Sequence, residues 1–406
     1  MKKDRKQALE PKIQLHIREE ERNVFADEHK LRWHMDHRTS KMWALACGVV
    51  FVYLIVIFLP GGLDSNNVNL SIAWWAETLR GNVEDFSRIL SGENPDYMDL
   101  VVCRFAAVAL VGAALASSGA VYQGALRNGL ASPTTLGVQT GGVLGGTVYV
   151  LFFMPAAVTG MHYSEIIEQR QAMNILQRYE EAFFIIGGAL LAVCFVVTIA
   201  RIAGRGKISS LALILTGMMF SGTVGGAIGL VRYWLMLTDT YGERTYELRF
   251  MMMGTFSRVY TPEHLLLVGA PIAIGLVVIM LLRNRLNLLV FGEDEARIMG
   301  LRVDLTRNLM VTVVTVLTAV VIAFCGMIGF IGFIVPHMAR RITGPDFRWL
   351  LPGSAMLGAI TMLVIYYVAT AVNYADNINF MTSLIGGTGF LIMMIKARRQ
   401  SNADWA

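Results

Sequence analysis

The stretch that decides the fold is GFIGFIVPHMARRITGPDFRWLLPG, residues 329–353. An apolar run ends in a Pro–His pair, two arginines follow, and Gly-Pro-Asp then marks a turn. In a soluble enzyme His337 would be a candidate general base or metal ligand. Here Pro336 is expected to kink a helix, and Arg340 and Arg341 follow within one turn. The pattern therefore indicates a hydrophobic helix that ends at a cytoplasmic membrane surface, and not a catalytic centre.

Composition extends this interpretation to the whole chain. Of its 406 residues, 55% are hydrophobic and 16% are charged, whereas a soluble protein carries about a quarter charged residues. Repeated apolar stretches of about twenty residues have the length that crosses the hydrocarbon of a bilayer. The sequence predicts an all-α polytopic membrane protein with about ten transmembrane helices and both termini in the cytoplasm.

Hydropathy divides the chain into a charged cytoplasmic N-terminal extension at 1–41, a transmembrane domain at 42–397 and a cytoplasmic tail at 398–406. The seventh and eighth spans meet at FCGMIGFIGF, where the glycines predict a tight turn or a broken helix. The predicted spans are 42–59, 101–121, 134–154, 182–201, 210–232, 263–282, 308–325, 328–341, 351–373 and 380–396.

Charge placement supports this topology. With the N-terminus inside, 26 of the 35 Lys and Arg residues fall in cytoplasmic segments and nine fall at the outer side. An excess of positive charge in cytoplasmic segments is the pattern that membrane insertion favours. The outer segments hold sixteen Asp and Glu residues, so this face would attract a protein or a cationic ligand. Solvated loops without a specific partner are the equal alternative.

Several classes of function are disfavoured by the residues that the sequence lacks. No Asp or Glu lies in the middle of a predicted span, which argues against an ion-coupled secondary transporter. The segment GRGKISS (204–210) is no phosphate-binding loop, because it lacks the first glycine and has Ile208 in place of the magnesium-binding hydroxyl. Neither HExxH nor Gly-x-Ser-x-Gly occurs, which argues against an intramembrane enzyme. If ATP drives this protein, a partner hydrolyses it.

The cysteines and histidines do not indicate a disulfide or a metal site. Four cysteines lie in or beside apolar runs without CxxC spacing, and we expect them to be buried small side chains; they are Cys47, Cys103, Cys194 and Cys325. The lone histidines lack a full ligand set. We therefore expect no catalytic residue, metal or cofactor in this chain, and no nucleic acid as a partner.

The cytoplasmic segment after the sixth span reads LNLLVFGEDEARIMGLRVDLTR (286–307) and is punctuated by Gly292 and Gly300. Between these glycines, EDEARIM consists of good helix formers with the acids first and Arg297 towards the end, which suits a helix dipole. One interpretation is a short amphipathic helix that docks in a groove of a soluble partner. The other is a merely solvated loop, and the residues favour neither.

Four separated stretches of the sequence resemble the pattern of a single known family. They are LVGAALASSGAVYQGALRNGLASPTTLGVQTGG (110–142), LILTGMMFSG (213–222), FGEDEARIMGL (291–301) and the opening stretch at 329–353. Together they resemble the FecCD-type permeases, the membrane subunits of type II ABC importers for ferric siderophores, haem and cobalamin. The resemblance implies ten helices per subunit, a dimeric pore, two ATPases below it and a substrate-binding protein above it.

The resemblance also implies roles for individual residues. An ATPase-coupling role falls on Gly292, Glu293, Ala296, Arg297 and Gly300. A cytoplasmic gate falls on Asn128 and Leu130, and docking of the binding protein at the outer face falls on Arg104. ATP and magnesium would be bound by the partner ATPase and not by this chain.

The implied function is an ATP-driven importer permease of the bacterial inner (cytoplasmic) membrane. Its expected cargo is an iron chelate, a ferric siderophore first, with haem or cobalamin as alternatives and an ion-coupled secondary transporter as the rival class. Its expected partners are two ABC ATPase subunits, a second permease copy or a homologous permease, and a periplasmic or lipid-anchored substrate-binding protein.

Three departures from the family pattern qualify the expected outer face and gate. The chain reads VVCR (101–104) where the family commonly has Arg-Leu-Pro-Arg, so one docking arginine and a proline are missing. Gly129 stands where a proline usually follows the asparagine, and NINFMTSLIGGTGF (377–390) lacks the prolines of the family. The outer loops 60–99 and 155–181 are also longer than usual.

Overall fold

The computed structural model describes residues 38–55, 102–154, 180–204, 210–239, 243–259, 261–372 and 374–403. Within these residues, all regular secondary structure is helical. The first 37 residues, the 60–99 loop and most of the 155–181 loop lie outside the described part. The predicted cytoplasmic location of the N-terminal extension and the predicted outer location of those loops therefore stay predictions.

The described residues form twelve α-helices and a single 3-10 turn, Ala375–Asn377. The α-helices are α1 (Arg38–Ile55), α2 (Cys103–Ala125), α3 (Val138–Phe152), α4 (Glu180–Ala203), α5 (Ser210–Thr238), α6 (Glu243–Met253), α7 (Pro262–Phe291), α8 (Glu293–Ile298), α9 (Val303–Cys325), α10 (Ile331–Thr343), α11 (Phe347–Ala371) and α12 (Ile378–Ala403).

Each of the ten predicted spans overlaps one helix in the part of the chain that the structure describes, which confirms the all-helical membrane fold. Seven helices are long and apolar enough to cross a bilayer, namely α1, α2, α4, α5, α7, α9 and α11. Two of the other three are short, since α3 has 15 residues and α10 has 13. The number of crossings and the side of each terminus stay predictions. Helix α6 was missed, because the sequence analysis assigned its residues to an outer loop.

The chain divides into two compact units, Met1–Cys47 and Gly48–Ala406. In the first unit the structure describes the beginning of α1, where Trp43 is exposed. The second unit contains every other helix and the hydrophobic core. Helix α2 lies at the centre of that core, with 78% of its span buried, and α7, α9, α10 and α11 pack around it. A helix that is apolar on all sides is expected to be buried in this way.

Glycines let the backbones around α2 come into direct contact. Gly112 of α2 lies against the carbonyl of Gly358 in α11, and Gly119 lies against the carbonyl of Gly332 in α10. A Cβ atom at either position of α2 would collide with that backbone. Because Pro336 has no N–H to offer to the residue four positions earlier, the Gly332 carbonyl is free to meet α2. Small residues are thus used where hydrophobicity cannot drive helix association in lipid.

A second group of helices packs by the same principle. Helix α3 meets α4 through Gly145 and Gly188, whose positions leave no room for a Cβ atom. The sulfur of Met251 in α6 fills the space beside Gly146. Together with Ile185 and Ile322, these contacts form a smaller core beside the main one. Helix α6 is therefore an integral part of the bundle.

The connection between α9 and α10, residues 326–330, is a break of five residues between two helices. Gly326 and Phe330 at its two ends have positive φ angles of 72° and 64°. Its backbone groups find partners on other elements: Met327 N donates to Met251 O (2.8 Å), Gly329 N to Asn379 Oδ1 (3.0 Å), and Ile328 O accepts from Gln139 Nε2 (2.7 Å). Irregular backbone at membrane depth requires such partners.

We predict that Gly112→Leu lowers the stability of the purified protein, whereas Gly187→Leu does not. The leucine side chain introduced at position 112 would collide with the backbone of α11. Overpacking of this kind costs about 1–3 kcal/mol or more. A Cβ atom at Gly187 on α4 meets no atom within 4 Å, so the second variant is a matched control. The midpoint of thermal unfolding in detergent measures the difference, and equal midpoints would show that the α2–α11 contact is not tight.

Candidate functional site

The predicted cytoplasmic connections meet at one end of the bundle, which we call the inner end. Asn287 near the end of α7 donates from Nδ2 to Oδ1 of Asp346, the N-cap residue of α11 (2.7 Å). Arg307 of α9 donates from Nε to the carbonyl of Ala125, the last residue of α2 (3.2 Å). The segment after α2, the segment around α8 and the turn after α10 are thus joined at the same end.

Helix α8 begins at a glycine that no other residue could replace without strain. Gly292 is its N-cap and has φ 150° and ψ 156°, a region of the backbone map that is essentially restricted to glycine. The carboxylate of Glu295 lies directly against Gly292, where a Cβ atom would stand. The first backbone bond of the helix runs from Ala296 N to Gly292 O (3.1 Å).

The end of α8 is also set by a glycine. Gly300 has φ 82° and donates from its N–H to Arg297 O (2.9 Å), while Leu301 N donates to Ala296 O (2.9 Å). This pair of bonds is the Schellman motif that closes many helices at a left-handed glycine. Of the two interpretations that the sequence left open, the structure therefore shows the short helix between Gly292 and Gly300. The ATPase-coupling role of its residues stays a prediction.

One face of α8 is anchored and the other is open. Ala296 is fully buried in the main core, which also contains Val303 of α9. Arg297 forms an ion pair with Asp304 (3.8 Å), but both side chains are more than half exposed, so the pair contributes at most about 1 kcal/mol. Ile298 is 86% exposed and Met299 is 51% exposed. The described part of α8 thus offers apolar side chains beside a positive charge at the inner end.

The predicted gate residues lie in the segment 126–131, directly after α2. Asn128 Oδ1 accepts a bond from Leu130 N (2.8 Å), and Ala131 N donates to Asn128 O (3.1 Å). Asparagine commonly closes a turn in this way. The Leu130 side chain is 49% exposed, and its gate role stays a prediction. We call residues 126–131 the gate segment.

A polar cluster that the sequence analysis missed lies beside the gate segment. Gln123 donates from Nε2 to Phe333 O (3.1 Å), and the same Nε2 lies 3.3 Å from His337 Nδ1. Arg340 donates to Oε1 of Gln123 (3.4 Å). Nε2 of His337 in turn faces Gly129. The histidine thus contributes to the contact between α2 and α10 at the inner end. The one signal in the sequence was an amide within a run of small apolar residues.

The predicted docking residue Arg104 lies in the first turn of α2, at the opposite, outer end. Its guanidinium is close to the hydroxyl of Tyr366 in α11. The Tyr366 ring packs edge-on against the rings of Phe105 and Phe256, with centroid distances of 5.4 Å and 5.3 Å. Asp376 nearby accepts a bond from Thr255 Oγ1 (2.7 Å). Arg104 therefore has partners within this chain, and its docking role stays a prediction.

A second ionic cluster at the outer end was also missed. Arg258 follows α6 and forms ion pairs with Glu247 of α6 and Glu181 of α4, the latter at 3.6 Å. Its guanidinium also lies 3.4 Å from the ring centroid of Phe250. Burial by itself lowers the pKa of Arg258, but Glu247 and Glu181 raise that pKa above its ordinary value. The cation therefore persists at every relevant pH and holds α6 against α4.

We predict that Arg258→Met destabilises the protein strongly, by about 3–5 kcal/mol, because it removes a cation that pairs with the buried Glu181 and Glu247 while both carboxylates stay in place. Addition of Glu247→Gln to Arg258→Met should recover part of that loss, since one buried charge is then removed. Thermal unfolding in detergent measures both variants. A single variant as stable as the parent would show that the cluster carries little energy.

Residues 53–396 match the model of the FecCD transport family. The chain belongs to the FecCD transport family. The match covers nearly the whole transmembrane domain that the sequence predicted, and it includes the gate segment and α8.

Curated relatives of this FecCD protein carry different cargo names. The molybdate import system permease protein MolB of Haemophilus influenzae is 31% identical over 71% of this chain and 77% of its own. The hemin transport system permease protein HmuU of Yersinia pestis is 31% identical over 75% of this chain and 84% of its own. An inward-facing structure of a metal-chelate type ABC transporter has a TM-score of 0.63, with 24% identity over 88% of this chain and 99% of the other. That last likeness supports the fold alone.

Proposed function

We propose that this chain is the transmembrane permease subunit of an ABC importer in a bacterial inner membrane, and that it moves an iron chelate into the cytoplasm by alternating access. Two partner ATPases bind and hydrolyse the ATP, a second permease copy or a homologue completes the pore, and a substrate-binding protein delivers the cargo from the periplasm or cell exterior. The chain itself is a transport subunit and carries out no covalent chemistry.

The observation that carries this proposal is the geometry of α8. A helix of six residues is fixed at both ends by glycines and anchored by the buried Ala296. It nevertheless presents Ile298 and Met299 outward. A solvated loop would gain nothing from such exposed apolar side chains, whereas a groove in a soluble partner would bury them. Because α8 lies directly between α7 and α9, a force applied to it moves both helices.

The choice of an iron chelate as cargo rests on the names of the relatives. One relative is named for hemin, which is an iron chelate, and another for molybdate. Fold and family leave the cargo open, because related permeases carry different molecules on one architecture. A ferric siderophore is our first proposal, and haem or cobalamin are the alternatives.

We predict that Ile298→Ser reduces recovery of the partner ATPase when the tagged chain is purified from its native membrane in mild detergent. Loss of a buried isoleucine contact is worth about 1.5–3 kcal/mol, so association should weaken about tenfold or more. Tyr374→Ser is the control, since Tyr374 is also an exposed apolar residue, at 51%, but precedes α12 at the outer end. If the folded parent protein is reproducibly recovered without an ATPase, the coupling role is wrong.

The role of Arg297 can be separated from its ion pair with Asp304. Arg297→Asp should weaken ATPase recovery, and the exchange Arg297→Asp with Asp304→Arg restores the internal pair without restoring the original charge on α8. We expect the exchange to remain impaired. Full recovery in the exchanged variant would show that Arg297 only stabilises the start of α9.

The cargo is tested by uptake into cells that lack all other importers of this class. We predict that the chain with its partners supports accumulation of radiolabelled iron supplied as a ferric siderophore. Haem, cobalamin and molybdate are supplied in parallel, and Ile298→Ser provides the transport-deficient control. Uptake of one of the other cargoes in place of iron would overturn the substrate assignment while leaving the importer assignment intact.

A further inference from the structure

We propose that Arg307 is a positioning residue that transmits movement of α8 to the gate segment, residues 126–131. This inference rests on the proposed function, because it assumes that an ATPase acts on α8. In the sequence, Arg307 is one of the 26 positive charges of the predicted cytoplasmic segments. The structure gives it a specific place between the two predicted functional segments.

Arg307 is buried, with 7% of its surface exposed, although it lies near the inner end. An arginine that serves only as a cytoplasmic charge has no reason to be buried, because a buried cation is costly unless polar groups surround it. Nε of Arg307 donates to Ala125 O (3.2 Å), the last carbonyl of α2. A cation at a helix C-terminus is stabilised by the helix dipole, and a charged donor strengthens the bond.

The bond from Arg307 completes the cap of α2. The other terminal carbonyls accept from the backbone of the gate segment itself: Tyr122 O from Leu126 N, Gln123 O from Asn128 N and Gly124 O from Arg127 N. The Ala125 carbonyl accepts from the side chain of another helix. The gate segment is therefore folded onto the end of α2, and that end is bonded to α9.

The other half of the connection runs from α8 to Arg307. Leu301 N donates to Ala296 O, and the buried side chains of Ala296 and Val303 belong to the same core. Arg307 lies four residues after Val303, and residues at this spacing share one face of a helix. A displacement of α8 therefore moves the first turns of α9, and the guanidinium carries that movement to the end of α2.

The experiment uses the full complex with its ATPase in nanodiscs, in a background whose four native cysteines are replaced by alanine. Reporter cysteines are introduced one at a time by Asp294→Cys on α8, at an exposed position outside the apolar contact proposed for the ATPase, and by Leu130→Cys in the gate segment. The rate of maleimide labelling is measured with and without Mg-ATP. In the parent background we expect ATP to change the labelling rate at both reporters.

Arg307→Met should abolish the ATP response at Leu130→Cys while the response at Asp294→Cys persists. Arg307→Lys keeps a charged donor and should restore part of the response. Arg302→Met is the matched control, because Arg302 is an exposed arginine just before α9, and it should leave both responses unchanged. If the Met variant does not assemble, Arg307→Gln replaces it, since glutamine keeps a donor but loses the charge.

A merely structural role would reduce assembly or both responses in parallel, and that result overturns the proposal. A normal response at Leu130→Cys in Arg307→Met or Arg307→Gln overturns it as well. Failure of the proposed function is distinct, because Asp294→Cys would then show no ATP response even with Arg307 intact. In that case no movement of α8 exists to be transmitted, and this inference falls with it.

Discussion

Direct backbone contact around α2 is the constraint on which the rest of the structure depends. In a bilayer, burial of apolar surface does not drive helices together, so close van der Waals contact has to do so. Gly112 and Gly119 bring α2 against the carbonyls of two neighbouring helices. Once α2 is held at this distance, its C-terminus has a defined place between α9 and α10. The gate segment inherits that place because its backbone caps the same helix end.

Local features of the fold could be predicted from the sequence because the signals are local. Apolar runs predicted the helices, and glycines predicted the break between α9 and α10 as well as the two ends of α8. Helix α6 was not predicted, because its sequence ERTYELRFMMM mixes charged and apolar residues at no clear spacing. Its apolar residues Leu248 and Met251 are buried against α3 and α4, and Glu247 is paired with Arg258. Only the tertiary arrangement gives this segment a buried face.

The polar contacts of the candidate site could not be predicted, because their partners are far apart in sequence. Gln123 and Arg340 are separated by 217 residues, and Arg307 and Ala125 by 182. Each of these residues, taken alone, indicates only a solvated charge or amide near a helix end. The cysteines show the same limit: Cys103 and Cys325 are buried as expected, whereas Cys47 and Cys194 are exposed. A single apolar run does not reveal which face meets protein and which meets lipid.

The shortness of α3 and α10 has a consequence for biogenesis. With 15 and 13 residues, they fall below the length of about 20 residues that spans a bilayer unaided. Helix α10 also contains a proline and ends with two arginines. Neither segment is therefore long enough to insert efficiently on its own. We expect each to enter the membrane together with a longer neighbouring helix. Full integration of this protein is then a late, cooperative event, completed when α2 has both α10 and α11 to pack against.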